Sequence, residues 1–190
     1  VGVLTYDGTT AVMEGRWGDV AELGGGVAAG MVFGKVTSLG KTSMSVDPTE
    51  VGFSQSTVSY KKVRMTQTGE KITYTYDDLV AGMKADGWNG EPLNVVKMPD
   101  GSLTSIDNTR LLAAREAGID AKIVVHKYGD NISNASALEY ARPDRHAPKT
   151  WGEAIQSRID DQTTTFYQDR NFAERFRYGT IYDPKVTGKR

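Results

Sequence analysis

The chain has 190 residues, 25% of them charged and 38% hydrophobic, with 23 basic and 24 acidic side chains for a net charge of −1. This is the composition of a water-compatible globular protein; it argues against a generally basic nucleic-acid binder while leaving room for a local basic patch. The absence of cysteine excludes disulfides, thiol nucleophiles and cysteine-held zinc, only two histidines argue against a histidine-rich metal site, and no stretch is long and apolar enough for a stable membrane span.

Residues 1–50 differ from the rest. They carry three basic and six acidic side chains, a balance of −3, against 20 and 18, or +2, in residues 51–190. The run from Gly24 to Gly34 is dense in glycine, which weakens helix and strand alike. It reads as a flexible connector, as a segment that packs into a cavity of a larger protein, or as one that inserts transiently in a membrane. Asp47-Pro48 marks a boundary. The chain therefore divides into a Gly-rich linker or delivery segment, 1–50, and a folded domain, 51–190. The start at Val1 without Met reads as part of something longer.

From Val51 the pattern is that of an α/β unit. Thr57 to Arg64 and Lys71 to Tyr76 are β-rich around a turn at Thr68-Gly69. Tyr76 to Asp86 reads as a helix, with Leu79, Val80 and Met83 on one face and acids in its first turn. Gly87 to Pro92 breaks it. Leu93 to Met98 and Leu103 to Ile106 are strands joined at Asp100-Gly101. A helix starts on Asp107 or Asn108 and stops at Gly118, and a strand from Lys122 to His126 follows. Gly129 to Lys149 reads as a polar loop. Thr150-Trp-Gly-Glu153 is a capping box opening a last helix, on which Ala154, Ile155, Arg158, Ile159 and Gln162 recur at helical spacing. Tyr178 to Pro184 reads as an extended tail.

The loop Ser102-Leu-Thr-Ser-Ile-Asp-Asn-Thr-Arg110 leads into a helix start. Backbone N–H groups there lack helical partners, and the helix dipole adds positive potential. Ser105, Asn108, Thr109 and Arg110 aimed at that point make a phosphate site; the alternative is a capped helix with Arg110 in a surface salt bridge. Asp107 has the chemistry of a base or of a ligand for a divalent metal, and equally that of an N-cap. Ser54, Gln55, Thr57 and Ser59 have the polarity to line a pocket, and equally that of an edge strand with solvent-facing hydroxyls. His126, near the end of its strand, suits acid–base work or a structural role. Arg158 and Gln162, one turn apart, would enter a cleft if their face meets the core; otherwise Arg158 pairs on the surface with Asp161 or Glu153. His146 lies in a polar stretch where solvation is the default. Trp88 and Trp151 suit base stacking or packing. Arg170, Arg175, Arg177, Lys185, Lys189 and Arg190 could track a phosphate backbone or form a solvated face. There is no Walker loop, H-E-x-x-H, G-x-S-x-G or strand-borne G-x-G-x-x-G.

Tyr76 to His126, about fifty residues, resembles the ParB/sulfiredoxin-like fold, through Glu91-Pro-Leu-Asn-Val-Val96 and Ser105-Ile-Asp-Asn-Thr-Arg-Leu-Leu-Ala-Ala-Arg-Glu-Ala-Gly118 in that order. The resemblance implies an α/β (α+β) core of a small mixed sheet with packed helices, and Arg110 falls where the family's box arginine does. Sulfiredoxins place a cysteine two positions earlier; Asn108 stands there, so sulfinic-acid reduction is out. Chromosome-partition members carry a glycine- and arginine-rich box, from which Asp107-Asn-Thr-Arg110 departs, and their CTP chemistry is not implied.

Phe53-Ser-Gln-Ser-Thr-Val-Ser59 and Trp151-Gly-Glu-Ala-Ile-Gln-Ser-Arg158 with Gln162 are similar to C-terminal toxin domains of bacterial polymorphic toxins, of the Rhs and contact-dependent inhibition type. That resemblance implies an antibacterial effector domain behind a larger delivery protein. It would be secreted or delivered from the cell surface, act in the cytoplasm of a target bacterium, and be neutralised by a cognate immunity protein. The implied activity is a nuclease cleaving phosphodiester bonds in DNA or RNA. Asp107, Arg110, His126 and Gln55 would then be catalytic, and Ser105, Asn108, Thr109, Ser54, Thr57, Arg158 and Gln162 would hold the phosphate. A nucleotide-binding or nucleotide-hydrolysing toxin on the same fold and a non-catalytic interaction module remain the alternatives.

Overall fold

The computed structural model describes residues 42–65, 71–141, 146–162 and 175–189. The chain is α/β, built on a five-stranded mixed sheet. Its strands are β1 (Met44–Val46), β2 (Gly52–Phe53), β6 (Leu93–Lys97), β7 (Leu103–Ser105) and β8 (Ala121–Lys127). They lie in the order β1-β8-β6-β7-β2. Pairings alternate across the sheet: β1 with β8 antiparallel, β8 with β6 parallel, β6 with β7 antiparallel, and β7 with β2 parallel. Two small ribbons complete the strands. One pairs β3 (Thr57–Ser59) with β9 (Lys185–Thr187) in parallel; the other is the antiparallel hairpin of β4 (Lys61–Met65) and β5 (Lys71–Thr75). The turn expected at Thr68-Gly69 and the Gly24–Gly34 run lie outside the described residues.

Period-two alternation divides the sheet's apolar residues between two cores. Leu93 and Val95 of β6, with Ala121 and Ile123 of β8, pack on α1 (Tyr76–Asp86) and α2 (Asn108–Ala117). Val96 and Met98 turn to the opposite face and meet α3 (Asn134–Tyr140) and α4 (Trp151–Asp161). Each helix start has a side-chain cap. Thr75 and Asp78 form a reciprocal capping box on α1, and Asp107 accepts from Arg110 N on α2. Gly118 closes α2 with φ 70°, a left-handed conformation that glycine adopts without strain. Gly152 permits a close approach: a Cβ there would lie 2.5 Å from the Tyr128 ring.

Four local expectations are corrected. Gly129 to Lys149 is not loop throughout, because Ser133 caps the short α3 through Ser136 N and Ala137 packs into the second core. At α4, Glu153 accepts from Lys149 N rather than completing a box with Thr150. Residues 44–50, which a boundary at 50/51 would set outside the domain, supply the edge strand and a 3₁₀ turn. The stretch expected as an extended tail folds back: Thr180 exchanges backbone hydrogen bonds with Phe53, and β9 follows. Among the described residues no helix is long and apolar enough to cross a membrane.

Candidate functional site

Three segments meet at the start of α2: the residues just after β2, the first turn of α2, and the C-terminal end of α4. Asn108 joins them and is 1% exposed. Its Oδ1 accepts from Ser54 N at 2.7 Å. Its Nδ2 donates to Ser54 Oγ at 3.0 Å, Gln55 Oε1 at 2.9 Å and Ile106 O at 3.2 Å. Ser54 Oγ donates onward to Ser105 O. Gln55 Oε1 accepts a second bond from Arg158 Nη2 at 3.1 Å. One turn further along α4, Gln162 Oε1 accepts from Ser56 N and Ser56 Oγ, both at 3.1 Å. Gln162 is fully buried, and its Nε2 has no hydrogen-bond partner among the described residues. A buried donor left in that state carries a desolvation cost of about 1–3 kcal/mol, which an oxygen-rich ligand would remove.

Asp107 and Arg110 form the outer edge of this cluster. Arg110 Nε donates to Asp107 Oδ2 at 2.6 Å, Arg110 Nη1 donates to Glu91 O at 2.7 Å, and the guanidinium lies over the Trp88 ring. Arg110 therefore has the ion pair of a capped helix, in a half-buried setting rather than on the open surface. Burial pushes the Asp107 carboxyl up, but the Arg110 charge and hydrogen bonds, with help from Lys62, outweigh it and hold the carboxyl below its usual range. Asp107 thus stays ionised and makes a weak proton acceptor.

A folded-state value below the unfolded one stabilises the protein above the unfolded pKa of about 4 and loses that contribution as pH falls through the folded value. In urea unfolding at pH 7, 5 and 3, the wild-type chain is therefore expected to lose more stability than Asp107→Asn between pH 5 and 3. Parallel losses in the two proteins would show that the carboxylate contributes nothing.

The structure brings together Ser54, Gln55, Ser105, Asp107, Asn108, Thr109, Arg110, Arg158 and Gln162. Ser105 shapes the loop: its hydroxyl accepts from Asp107 N and donates to Asp107 O. Arg158 reaches Gln55 across the fold, whereas the sequence also allowed it a surface pair. Thr57 sits in β3, in register with Lys185 of β9. His126 is placed elsewhere. It is 3% exposed, its Nε2 lies 2.9 Å from Asn94 Oδ1, and its ring stacks on Trp151 at 3.6 Å. Trp151 opens α4, seven residues and about 10 Å of helix from Arg158. His126 and Trp151 are thus core neighbours, and His146 is exposed. Among the described residues no three His, Asp or Glu side chains form a group that could hold a metal ion.

The sequence reading overlooked Lys62. This residue of β4 is 2% exposed and donates from Nζ to Thr109 Oγ1 at 2.8 Å. A lysine in a hairpin reads as solvated, and nothing in the alternation of Tyr60 to Arg64 marks it otherwise. Three cationic side chains, Lys62, Arg110 and Arg158, are thus tied directly or through Gln55 to the first turn of α2. No protein-family model matches this chain, and neither a curated protein nor a solved structure does.

Proposed function

We propose that this chain is an effector toxin domain of the ParB-like kind that cleaves phosphodiester bonds in the DNA or RNA of a target bacterium. The observation that carries the reading is the hydrogen-bonded cluster at the start of α2: Lys62 donates to Thr109, Arg110 pairs with Asp107, Arg158 reaches Asn108 through Gln55, and Gln162, whose oxygen accepts from Ser56, has a buried Nε2 with no partner among the described residues. Cations and N–H donors at a helix start suit a phosphate group. In hydrolysis the oxygen of a water forms a new bond to phosphorus, the bond to the leaving oxygen breaks, and the proton of the water ends on that oxygen. The fixed donors stabilise the negative charge that builds on the non-bridging oxygens. Asp107 orients Arg110 in this reading, and His126 belongs to the core. Delivery from a neighbouring cell and neutralisation by an immunity protein complete the proposal. The net charge of −1 favours one further reading, an enzyme that takes a free nucleotide rather than a polymer.

The test is induced expression of the whole chain in bacteria, beside Arg158→Ala, with gels of total DNA and RNA. Growth arrest with degraded DNA or RNA is expected for the wild type. Purified Arg158→Ala should cleave at least tenfold more slowly, about the loss expected for one charged hydrogen bond in the transition state. Arrest with intact nucleic acids would move the assignment to nucleotide chemistry, and harmless expression would leave a non-catalytic module.

A further inference from the structure

The segment from Arg175 to Tyr182 has no part in the cluster at α2, yet it is built unlike an ordinary surface turn. It holds two arginines and no acid, in a chain of net charge −1. Each guanidinium lies over the ring of the next residue, Arg175 at 5.0 Å from the Phe176 centroid and Arg177 at 5.5 Å from that of Tyr178. Both arginines are exposed, and the ion pairs among the described residues use Arg110, Arg115 and Lys189 instead. Asp183, the next acid along the chain, is the partner of Arg115. Phe176 and Tyr178 pack against the second core. Beyond them, Ile181 and Tyr182 are each 69% exposed, and the Tyr182 ring makes a T-shaped contact with Phe176, centroids 6.1 Å apart. The segment is fixed to the sheet. Thr104 Oγ1 donates to Tyr178 O at 2.6 Å, and Thr180 exchanges backbone bonds with Phe53 at 2.7 and 2.9 Å. Thr104 and Phe53 directly precede two residues of the cluster, Ser105 and Ser54.

We propose that this segment is a binding surface for an unpaired nucleic-acid strand. Bases stack on Tyr182 and on the outer faces of the two guanidinium planes, and phosphates take the arginine N–H groups. The inference deepens the phosphodiesterase reading above, on which it rests for the choice of polymer, by naming the form of that polymer. Every base has a π-face, but only an unpaired strand offers it to a side chain; in a duplex the faces are stacked on one another. An arginine held against a ring keeps its other face and its N–H edges for a base and a phosphate. Two unpaired cations on a chain of net charge −1 suit a polyanion, and the rings between them suit its bases rather than the carboxylates of an acidic protein. Contacts made away from the scissile bond are the same in the bound substrate and in the transition state. They should therefore appear in KM and not in kcat.

The experiment uses the full chain made by cell-free synthesis, as wild type, Tyr182→Ala, Tyr182→Phe and the double variant Arg175→Gln with Arg177→Gln. Circular dichroism reports folding. Fluorescence anisotropy measures binding of labelled DNA and RNA of about 16 nucleotides, single-stranded and duplex, with phosphorothioate links so that binding is read apart from cleavage. Initial rates are taken on unmodified strands of the same sequences. The wild type is expected to bind single strands about tenfold more tightly than duplexes. Tyr182→Ala should weaken that binding about tenfold and raise KM to match at unchanged kcat, while Tyr182→Phe, which keeps the ring, restores both. The double variant should lower the slope of log affinity against log salt by about 1.4, the share of two phosphates on a single strand. Equal affinity for single strands and duplexes overturns the proposal, as does a folded Tyr182→Ala that binds like the wild type. If Tyr182→Ala does not fold, an unchanged salt slope in the double variant overturns it equally. Cleavage with KM untouched in Tyr182→Ala keeps the nuclease and removes the surface. Single-strand binding that Tyr182→Ala weakens, without cleavage of any strand, keeps the surface and removes the nuclease. A chain that binds none of the strands overturns the proposal and leaves the patch to an acidic protein.

Discussion

Asn108→Asp is expected to destabilise the protein by about 4 kcal/mol, more than Asn108→Ala, although aspartate is the closer match in shape. The buried amide of Asn108 spends Nδ2 on three oxygens, those of Ser54 Oγ, Gln55 Oε1 and Ile106 O. A carboxylate would turn an acceptor toward all three and bury a charge, each lost bond leaving a buried group that costs about 1–3 kcal/mol. Alanine leaves the same groups unsatisfied but adds no repulsion, and about 2–3 kcal/mol is expected. Against a total stability of about 5–15 kcal/mol, the aspartate variant would be partly unfolded at 37 °C. Urea unfolding of both variants at pH 7 checks the order. A more stable aspartate variant would mean that the amide stands the other way round, with its oxygen toward Gln55. Both substitutions also release Gln55, the partner of Arg158, so under the proposed function cleavage should fall with stability.

The frame of the fold was legible in the sequence because its signals are local. The helix of Tyr76 to Asp86 announces itself by acids in its first turn and a glycine at its end, and Asp107 with Gly118 brackets α2 in the same way. The alternation of Leu93 to Met98 gives a strand whatever it packs on. What escaped was set by distant contacts. Residues 44–50 contain no strong strand signal, yet Met44–Val46 has the edge of β8 to pair with. The tail after Tyr178 folds back because Thr180 finds the free backbone of Phe53.

The site divides in the same manner. Polar residues beside a helix start could be picked out as a group, since the unpaired N–H groups there follow from helix geometry alone. Which of them share one cluster depends on tertiary placement. Arg158 and Gln162 join it because the inner face of α4 brings them against residues 55–56, more than a hundred positions away. His126 has the same chemistry on paper as a catalytic histidine, but β8 presents it to Trp151. Lys62 carried no local signal, because its burial depends on where the hairpin lies relative to α2.

Arg115 holds the far end of the same helix, and its loss is expected to be as damaging as any at the site. Seven residues separate it from Asn108, two turns that return to one face of α2, about 10 Å apart. Its guanidinium donates to Pro48 O, Val51 O, Ile181 O and Asp183 Oδ1 at 2.7–3.0 Å, and it lies 4.5 Å over the Phe53 ring. Four of its five N–H donors are thereby used, and its side chain is only 12% exposed. Arg115→Ala leaves three carbonyl oxygens without this donor and should cost about 3–5 kcal/mol. Lysine presents one compact charge instead of a planar fork, so Arg115→Lys should recover less than half of that. Both would show as a lower urea midpoint, with an unchanged slope if unfolding stays two-state. Asn108 grips residues 54 and 55 while Arg115 grips 48 and 51, so the strand that presents Ser54 and Gln55 is held to α2 at both ends. Arg115→Ala should therefore also speed amide exchange at Phe53, whose N–H is bonded to Thr180 O, and, under the proposed function, slow cleavage from outside the site. A loss below about 1 kcal/mol, the scale of an exposed ion pair, would show that the two ends are held by apolar packing and that Arg115 adds little.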